Sequence, residues 1–204
     1  MRSLKPTISR VRCRATAFRP ASRGGFTLVE LMVTIAVAAV LLMIAVPSYR
    51  NIINANRLST AANEMVGALN VARMEAIKRN GSVQFCSNAS ANNTGDTLGS
   101  ACGTQGGAVY VQTGSAAGPA ATRVRTSVAA LTAPVVLHGN ITAVRYHGDG
   151  LAYAIGGTGP YDSTTAGEAL ADLCVAALSS NNHIQINIAA GSVVTTTTST
   201  GACP

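Results

Sequence analysis

The chain has 204 residues, a formal net charge of +7 and a sequence pI near 9.6. Seven of its 15 basic residues lie within the first 25 positions, which leaves eight basic and eight acidic residues from residue 26 onward. The basic balance that would otherwise suggest nucleic-acid binding therefore belongs to a short N-terminal segment. The remainder is rich in glycine, poor in charge and free of tryptophan, a composition that suits an exported β-rich domain better than a cytosolic enzyme.

The first predicted element begins where this basic segment meets an apolar run. Residues 24–30 read Gly-Gly-Phe-Thr-Leu-Val-Glu, and the apolar run continues to Val46. A secretory signal places its small residues and its cleavage site after the apolar segment, whereas here the glycines precede it. The motif closely resembles the prepilin motif of type IV pilins and type II secretion pseudopilins. The resemblance implies that residues 1–25 are a leader, that a prepilin peptidase cuts between Gly25 and Phe26, and that Phe26 is then N-methylated.

Residues 26–47 are expected to form a transmembrane and assembly helix. The run from Phe26 to Val46 contains a single charged side chain, Glu30. At about 1.5 Å per residue it is long enough for a bilayer core of about 30 Å. The basic leader predicts a cytoplasmic N-terminus, a single pass through the inner membrane and a periplasmic C-terminal domain.

Glu30 is the unusual residue of this run, because a carboxylate inside a bilayer costs about 2.5 to 3.5 kcal/mol on insertion scales. It lies about one helical turn from the amine that cleavage would create at Phe26. We expect Glu30 of one subunit to pair with that amine on a neighbour and so to set the axial register of an assembly. The alternative is a signal anchor whose glutamate reaches the lipid headgroups.

Residues 48–80 are expected to form the amphipathic second half of the helix, after a kink or local break at Pro47, which lacks an amide donor. An apolar stripe with three- and four-residue spacing should face a core, and Asn80-Gly81 should end the helix. The stripe consists of Ile52, Ile53, Leu58, Ala61, Ala62, Met65, Leu69, Ala72 and Ala76.

Residues 81–204 change to short β-like runs between turn residues, which predicts a β-rich globular domain. Loops are expected at 87–107 and 156–167, and a hairpin turn at His147-Gly148-Asp149-Gly150. The predicted fold class is α+β, a pilin-like lollipop whose long helix packs by its second half on one antiparallel sheet of seven to nine strands. The candidate strands are residues 82–86, 108–112, 123–128, 135–138, 141–146, 151–155, 173–178, 183–188 and 193–198.

Four cysteines remain once Cys13 is assigned to the leader, and an even number in an exported domain favours disulfides. Four cysteines allow three pairings. The sequence-local pairing, Cys86–Cys102 with Cys174–Cys203, is the favoured one. The alternative is a zinc site, which would lack any close Cys-x-x-Cys pair. No metal and no cofactor are expected.

The sequence at the end of the predicted helix indicates which branch of the pilins and pseudopilins the chain resembles. Residues 70–80 contain Ala-Arg-Met-Glu-Ala and lead into the first candidate strand. With the N-terminal motif, this makes residues 25–86 resemble the GspH/FimT family of minor pilins and pseudopilins. The resemblance implies a structural, non-catalytic minor pilin that joins other minor and major pilins in a tip complex and primes type IV pilus assembly. The alternative role is a type II secretion pseudopilin at the pseudopilus tip.

DNA binding and catalysis are the other functions considered. Some relatives bind DNA through a C-terminal Gly-Arg-x-Arg element, but the nearest stretch here, residues 191–194, lacks both arginines. Arg123 and Arg125 are expected on one strand face with Arg145 as a third member, and three cations make weak candidates for DNA contact. The sequence has no nucleophile elbow, zinc-protease motif or dinucleotide fingerprint, so no enzymatic activity is predicted.

Overall fold

The computed structural model describes residues 25–115 and 118–204, and the predicted leader therefore lies outside it except for Gly25. The chain divides into two compact units, Met1–Met43 and Ile44–Pro204. A single helix, α1 (Leu28–Arg79), begins in the first unit and ends in the second. It continues through Pro47 without interruption, so the expected local break is not formed, and the kink stays a prediction.

The second half of α1 packs against the β-rich part of the second unit through a narrow row of small and aliphatic residues. The predicted stripe is confirmed from Leu58 onward and gains Ala68. The prediction was wrong at its N-terminal end, because Ile52 is 56% exposed and the burial of the helix begins one and a half turns later. Alanine recurs in the stripe because a methyl side chain lets a sheet approach the helix closely.

The C-terminus of α1 is closed by a Schellman motif. The amide of Gly81 donates to the carbonyl of Ala76 at 3.1 Å, and the amide of Asn80 donates to the carbonyl of Ile77 at 3.2 Å. Asn80, not Gly81, takes the left-handed conformation, with φ of 45°. Asparagine tolerates this region better than most residues, and the helix ends at the predicted Asn80-Gly81 pair.

Within residues 25–115 and 118–204, nine strands follow the helix, and they form two antiparallel sheets where one was predicted. The first sheet has the order β3-β2-β1-β5-β6 and the second the order β4-β7-β8-β9. Alternation along each strand indicates which face is buried, but not whether neighbouring strands share a sheet, which explains the error. The strands are β1 (Val83–Phe85), β2 (Val109–Ser115), β3 (Gly118–Arg125), β4 (Val136–Leu137), β5 (Val144–Tyr146), β6 (Ala152–Ala154), β7 (Ala171–Cys174), β8 (His183–Ala189) and β9 (Val193–Ser199).

The main core is shared by α1 and both sheets. Met65 and Leu69 of the helix lie in one buried cluster with Phe85 and Tyr146 of the first sheet and Ile186 of the second. The predicted hairpin is confirmed, since β5 and β6 pair across residues 147–150. The α+β class, with the helix packed on antiparallel β structure, is therefore confirmed, and the hydrophobic burial of this cluster is the main term that holds the helix to the sheets.

The two predicted loops each contain a short helix. In the first loop, α2 (Thr97–Cys102) is capped by Asp96, and in the second, α3 (Ser163–Ala166) is capped by Asp162. The structure joins Cys86 to Cys102 and Cys174 to Cys203, with Cα atoms 5.5 Å and 5.9 Å apart. Both separations lie in the range that a disulfide spans. The first bridge ties the end of α2 to the residue after β1, and the second ties the C-terminal residues to the end of β7.

Candidate assembly site

The N-terminal motif forms a helix cap in addition to carrying the predicted cleavage site. The hydroxyl of Thr27 accepts a hydrogen bond from the amide of Glu30 at 3.2 Å, and the Thr27 carbonyl accepts from the amide of Leu31 at 3.1 Å. A threonine followed three residues later by glutamate is the sequence of a capping box. Phe26 therefore lies immediately before the cap, so the predicted cleavage would place a free amine at the start of the helix.

The residues that follow present an apolar surface on all sides of the helix. Phe26 is 82% exposed, and the large apolar side chains from Leu28 to Ile44 are all more than half exposed. The most apolar window has a mean hydropathy of 2.7, and by length and composition α1 is able to cross a membrane. An exposed apolar surface of this extent needs lipid or other subunits to cover it.

The carboxylate of Glu30 has no hydrogen-bond or ion-pair partner among the described residues. Only its backbone amide is engaged, through Thr27. Its position in the first turn is favourable for a negative charge, because the amide ends of the helix dipole lie there. The carboxylate is thus exposed on an apolar helix and available to a cation from another molecule. The predicted role of Glu30 in axial register remains a prediction.

Arg123 and Arg125, two of the three arginines proposed for DNA contact, lie on opposite faces of the first sheet. A β-bulge between β2 and β3 places Arg123 opposite Tyr110 and Arg125 opposite Val109. Val109 and Tyr110 are consecutive in β2, and Val109 belongs to the core under α1, while Tyr110 belongs to a separate cluster on the other face of the sheet. The bulge therefore sends the two guanidinium groups to opposite faces, and the expectation that they share one face was wrong.

Arg125 connects its strand to the helix. Its Nη2 donates to the carbonyl of Glu64 at 3.2 Å, and its guanidinium lies against Gly67, where an added Cβ would approach Nη1 to 3.3 Å. The Glu64 carboxylate in turn accepts from the amide of Ala130 at 3.1 Å. The sequence analysis did not predict the contact between Arg125 and the helix. Glycine at position 67 makes room for the arginine, but a glycine adds nothing to the apolar periodicity from which the buried face of a helix is predicted.

Arg145 holds the 87–107 loop against the first sheet. Its guanidinium donates to the Asp96 carboxylate at 2.7 and 3.1 Å, to Gln84 Oε1 at 2.6 Å and to Thr94 Oγ1 at 3.1 Å. The bond from Arg145 is the main reason that the pKa of Asp96 lies well below its usual range. Gln84 is fully buried and also donates to Asn93 at 3.2 Å. These bonds engage the guanidinium, so Arg145 is not a free cation for a phosphate.

A histidine and an aspartate of the hairpin turn lie near Ser82, which precedes β1, but the three residues do not form a catalytic relay. Ser82 Oγ lies 3.4 Å from His147 Nδ1. The carboxylate of Asp149 accepts from the amide of Leu151 at 2.9 Å and from the hydroxyl of Tyr153 at 2.8 Å instead of orienting the imidazole. These bonds lower the pKa of Asp149, and the one to Tyr153 raises the pKa of that phenol. The arrangement stabilises a turn.

A capped, exposed apolar helix that continues into an α+β domain defines a membrane-anchored subunit of the pilin class. The family profile for the prokaryotic N-terminal methylation motif matches residues 20–46, and the profile for type II transport protein GspH matches residues 61–192. The second match covers more than half of the chain, so the chain belongs to the GspH family and is a pilin or pseudopilin of the GspH/FimT type. Searches of curated proteins and of solved structures returned no match.

The family consists of structural subunits that are generally non-catalytic. Its methylation motif implies processing by a prepilin peptidase and assembly with other pilins or pseudopilins.

Proposed function

We propose that this chain is a minor type IV pilin that joins a tip complex and helps to prime pilus assembly. The supporting observation is the unpartnered carboxylate of Glu30 on an otherwise apolar and exposed helix, next to the capped start of that helix. In the proposed pathway the leader is removed after Gly25, the chain waits in the inner membrane with its C-terminal domain in the periplasm, and it then enters the growing filament.

The proposed assembly step replaces lipid contacts by contacts between helices. Phe26, Leu28 and Leu31 would pack in the helical core of the filament, and Glu30 would pair with the N-methylated amine of the neighbouring subunit. Methylation leaves that amine able to carry a positive charge, so the ion pair is retained. Removing one partner of a buried ion pair costs about 3 to 5 kcal/mol, because the other charge stays buried and unpaired. A loss of about 3 kcal/mol corresponds to a weakening of assembly by roughly a hundredfold.

The second candidate is a type II secretion pseudopilin at the pseudopilus tip, and the description of the matching family profile favours it. The physical argument for the N-terminal helix is the same in both machines. DNA capture receives less support, because Arg125 and Arg145 are engaged within the domain, and Arg123, although exposed, donates to Gln105 at 3.2 Å. A single exposed guanidinium neutralises too little phosphate for useful affinity at physiological salt.

Deletion of the gene and measurement of major pilin sheared from the cell surface test the proposal. We expect a strong loss of surface pilin that wild-type complementation restores. Secretion of type II substrates should be unchanged in the same strain. Normal surface pilin in the deletion strain would contradict the priming role, and a simultaneous loss of protein secretion would select the pseudopilin role.

Complementation with Glu30→Ala tests the assembly step within the same strain. The variant should insert in the membrane at wild-type abundance and fail to restore surface pilin. Glu75→Ala is the matched control on the same helix, because Glu75 pairs only with Arg79 at 2.7 Å and Lys78 at 3.6 Å, far from the apolar run. Such a helix-surface pair contributes a few tenths of a kcal/mol. Full restoration of surface pilin by Glu30→Ala would refute the register role.

A further inference from the structure

The topology of the second sheet brings two cysteines and a histidine together near the C-terminus. Cys174 at the end of β7 is paired directly with His183 at the start of β8, and the chain returns along β9 to Cys203. The ligand atoms of these three residues lie within 4.8 Å of one another, and among the described residues they form the one such group of metal-ligating side chains. In the sequence, His183 lies nine residues after Cys174 and twenty residues before Cys203, so no short sequence motif indicates that the three side chains meet.

His183 is held in the orientation that a metal ligand needs. Its ring is 4% exposed, and its Nδ1 lies 3.0 and 3.2 Å from the two carboxylate oxygens of Asp172. A carboxylate in contact with one imidazole nitrogen fixes that nitrogen as the protonated one and leaves the other with a lone pair. The other nitrogen, Nε2, is buried and has no hydrogen-bond partner in the part of the chain that the structure describes. A buried polar atom without a partner is destabilising, so its retention needs an explanation.

We propose that Cys174, His183 and Cys203 form a zinc site when the Cys174–Cys203 disulfide is reduced. A dithiol reductant exchanges with the disulfide, gives two thiols on this chain and becomes a disulfide itself. Zn²⁺ then binds the two sulfurs as thiolates and His183 through Nε2, and two protons are released to solvent. Two thiolates and one imidazole are ligands that select zinc, and a water completes the tetrahedron. Asp172 is a positioning residue that holds the imidazole.

The imidazole already lies within 4.8 Å of both sulfurs. Two thiolates at about 2.3 Å from a tetrahedral zinc ion lie about 3.8 Å from each other, so the two sulfurs, which are bonded in the structure, must move apart after reduction. A cleft of about 420 Å³ leads to Asp172 and is lined also by His138, Glu168 and Gln185. Its two carboxylates would attract a cation to the neighbourhood of Asp172, the residue that holds the imidazole.

The other disulfide provides an internal contrast. Cys86 and Cys102 lie in an apolar cluster with Leu98, Ala108 and Tyr110. No third metal-ligating side chain accompanies them among the described residues. Reduction of that pair should therefore leave two buried thiols with no imidazole to join them. The proposed site would thus fix the C-terminal tail of this chain to β7 and β8 in a compartment or at a stage where the disulfide has not formed, a property independent of the role in pilus assembly.

The test uses the full chain in detergent, with Cys13, Cys86 and Cys102 replaced by serine so that only the proposed ligands supply thiols. The protein is prepared oxidised and after reduction with a phosphine, which is then removed. Co²⁺ is titrated first, because tetrahedral cobalt thiolate complexes absorb in the visible and near-ultraviolet. Zn²⁺ affinity is then measured by competition with a chromophoric chelator, and far-ultraviolet circular dichroism monitors the fold of each sample.

We expect one metal ion per reduced chain and none per oxidised chain. His183→Ala should weaken zinc binding by at least tenfold and change the cobalt spectrum. Asp172→Asn should weaken binding by about 10- to 100-fold, as second-shell substitutions do. His138→Ala is the matched control. The His138 ring lies 5.4 Å from the His183 ring and contacts Asp172, but His138 is outside the ligand group. The zinc affinity of this variant should therefore stay within about threefold of that of the parent protein.

Three results would overturn the proposal. In the first, the reduced chain binds no metal at stoichiometric concentration. In the second, the reduced His183→Ala variant binds zinc as tightly as the reduced parent chain. In the third, the oxidised chain binds as much metal as the reduced chain. If His183→Ala loses its secondary structure, His183→Gln takes its place, since an amide keeps the volume and polarity of the site but is a poor zinc ligand. A reduced parent chain that has lost its fold and does not regain it with Zn²⁺ also counts against the site.

Discussion

Replacement of Arg145 by methionine should destabilise the domain by about 1 to 4 kcal/mol. The substitution leaves the fully buried Gln84 Oε1 without its 2.6 Å donor, which costs about 1 to 3 kcal/mol. The ion pair with Asp96, whose side chain is 47% exposed, adds at most about 1 kcal/mol because solvent screens it. Methionine keeps most of the apolar stem, so the measured loss reports the polar contacts and not a cavity.

Urea unfolding of residues 51–204, which retain the whole buried part of α1, measures this loss. Arg123→Met is the matched control, because Arg123 is exposed and donates to Gln105 at 3.2 Å. Its free energy of unfolding should stay within about 0.5 kcal/mol of wild type. Equal effects of the two substitutions would refute the structural assignment of Arg145.

The pH dependence gives a second measure of the same contact. Arg145 lowers the pKa of Asp96 in the folded state, so the contact contributes stability above the unfolded-state pKa of about 3.9 and loses it as the pH falls further. Arg145→Met should therefore lose less stability than wild type between pH 4 and pH 2. An unchanged acid dependence would contradict the assigned ion pair.

Three further predictions concern local devices of the fold. Reduction of the two disulfides should lower the melting temperature by at least about 6 °C per bridge, since closing a loop of about 15 residues is worth about 3 kcal/mol and the span of each bridge is at least that long; an unchanged calorimetric transition would contradict a structural role. Asp162→Asn should reduce the loss of stability between pH 4 and pH 2, measured as the midpoint of denaturation. Bonds from Thr164 and from the amide of Ala190 hold the Asp162 pKa at about 2, and a group with a lowered pKa contributes stability that is lost as the pH falls through that pKa. An acid dependence equal to that of wild type would contradict this assignment. Asn80→Gly should keep wild-type stability while Asn80→Ala loses about 1 kcal/mol at the left-handed position in the same urea assay, and equal stabilities of the two variants would contradict the helix-end geometry.

The elements that sequence reasoning located have strong local signals. The junction of the basic segment with the apolar run indicates the start of α1, the stripe from Leu58 to Ala76 indicates its buried face, and Asn80-Gly81 indicates its end. The strands were located to within a few residues because short alternating runs between glycine-rich turns have a period of two. The largest displacement is in β3, which runs from Gly118 to Arg125 where residues 123–128 were expected.

The features that the sequence could not supply depend on contacts between distant segments. One bulge residue between β2 and β3 decides that Arg123 and Arg125 face opposite sides, and no composition signal marks it. The division of the strands into two sheets depends on pairing across the whole domain. The contact of His183 with Asp172 and its position beside Cys174 likewise follow from the pairing of β7 with β8.

The most direct test of the account is the mass of the N-terminal peptide from the membrane-bound protein, in strains with and without the prepilin peptidase. The account predicts a mature chain that begins at N-methylated Phe26 in the first strain and the uncut chain in the second. Because the cap formed by Thr27 and the apolar run begin at this junction, a cut there leaves the whole apolar helix on the mature protein. A chain that keeps the Gly25–Phe26 bond in the peptidase-competent strain, or is cut after the apolar run, would contradict its assembly as a pilin.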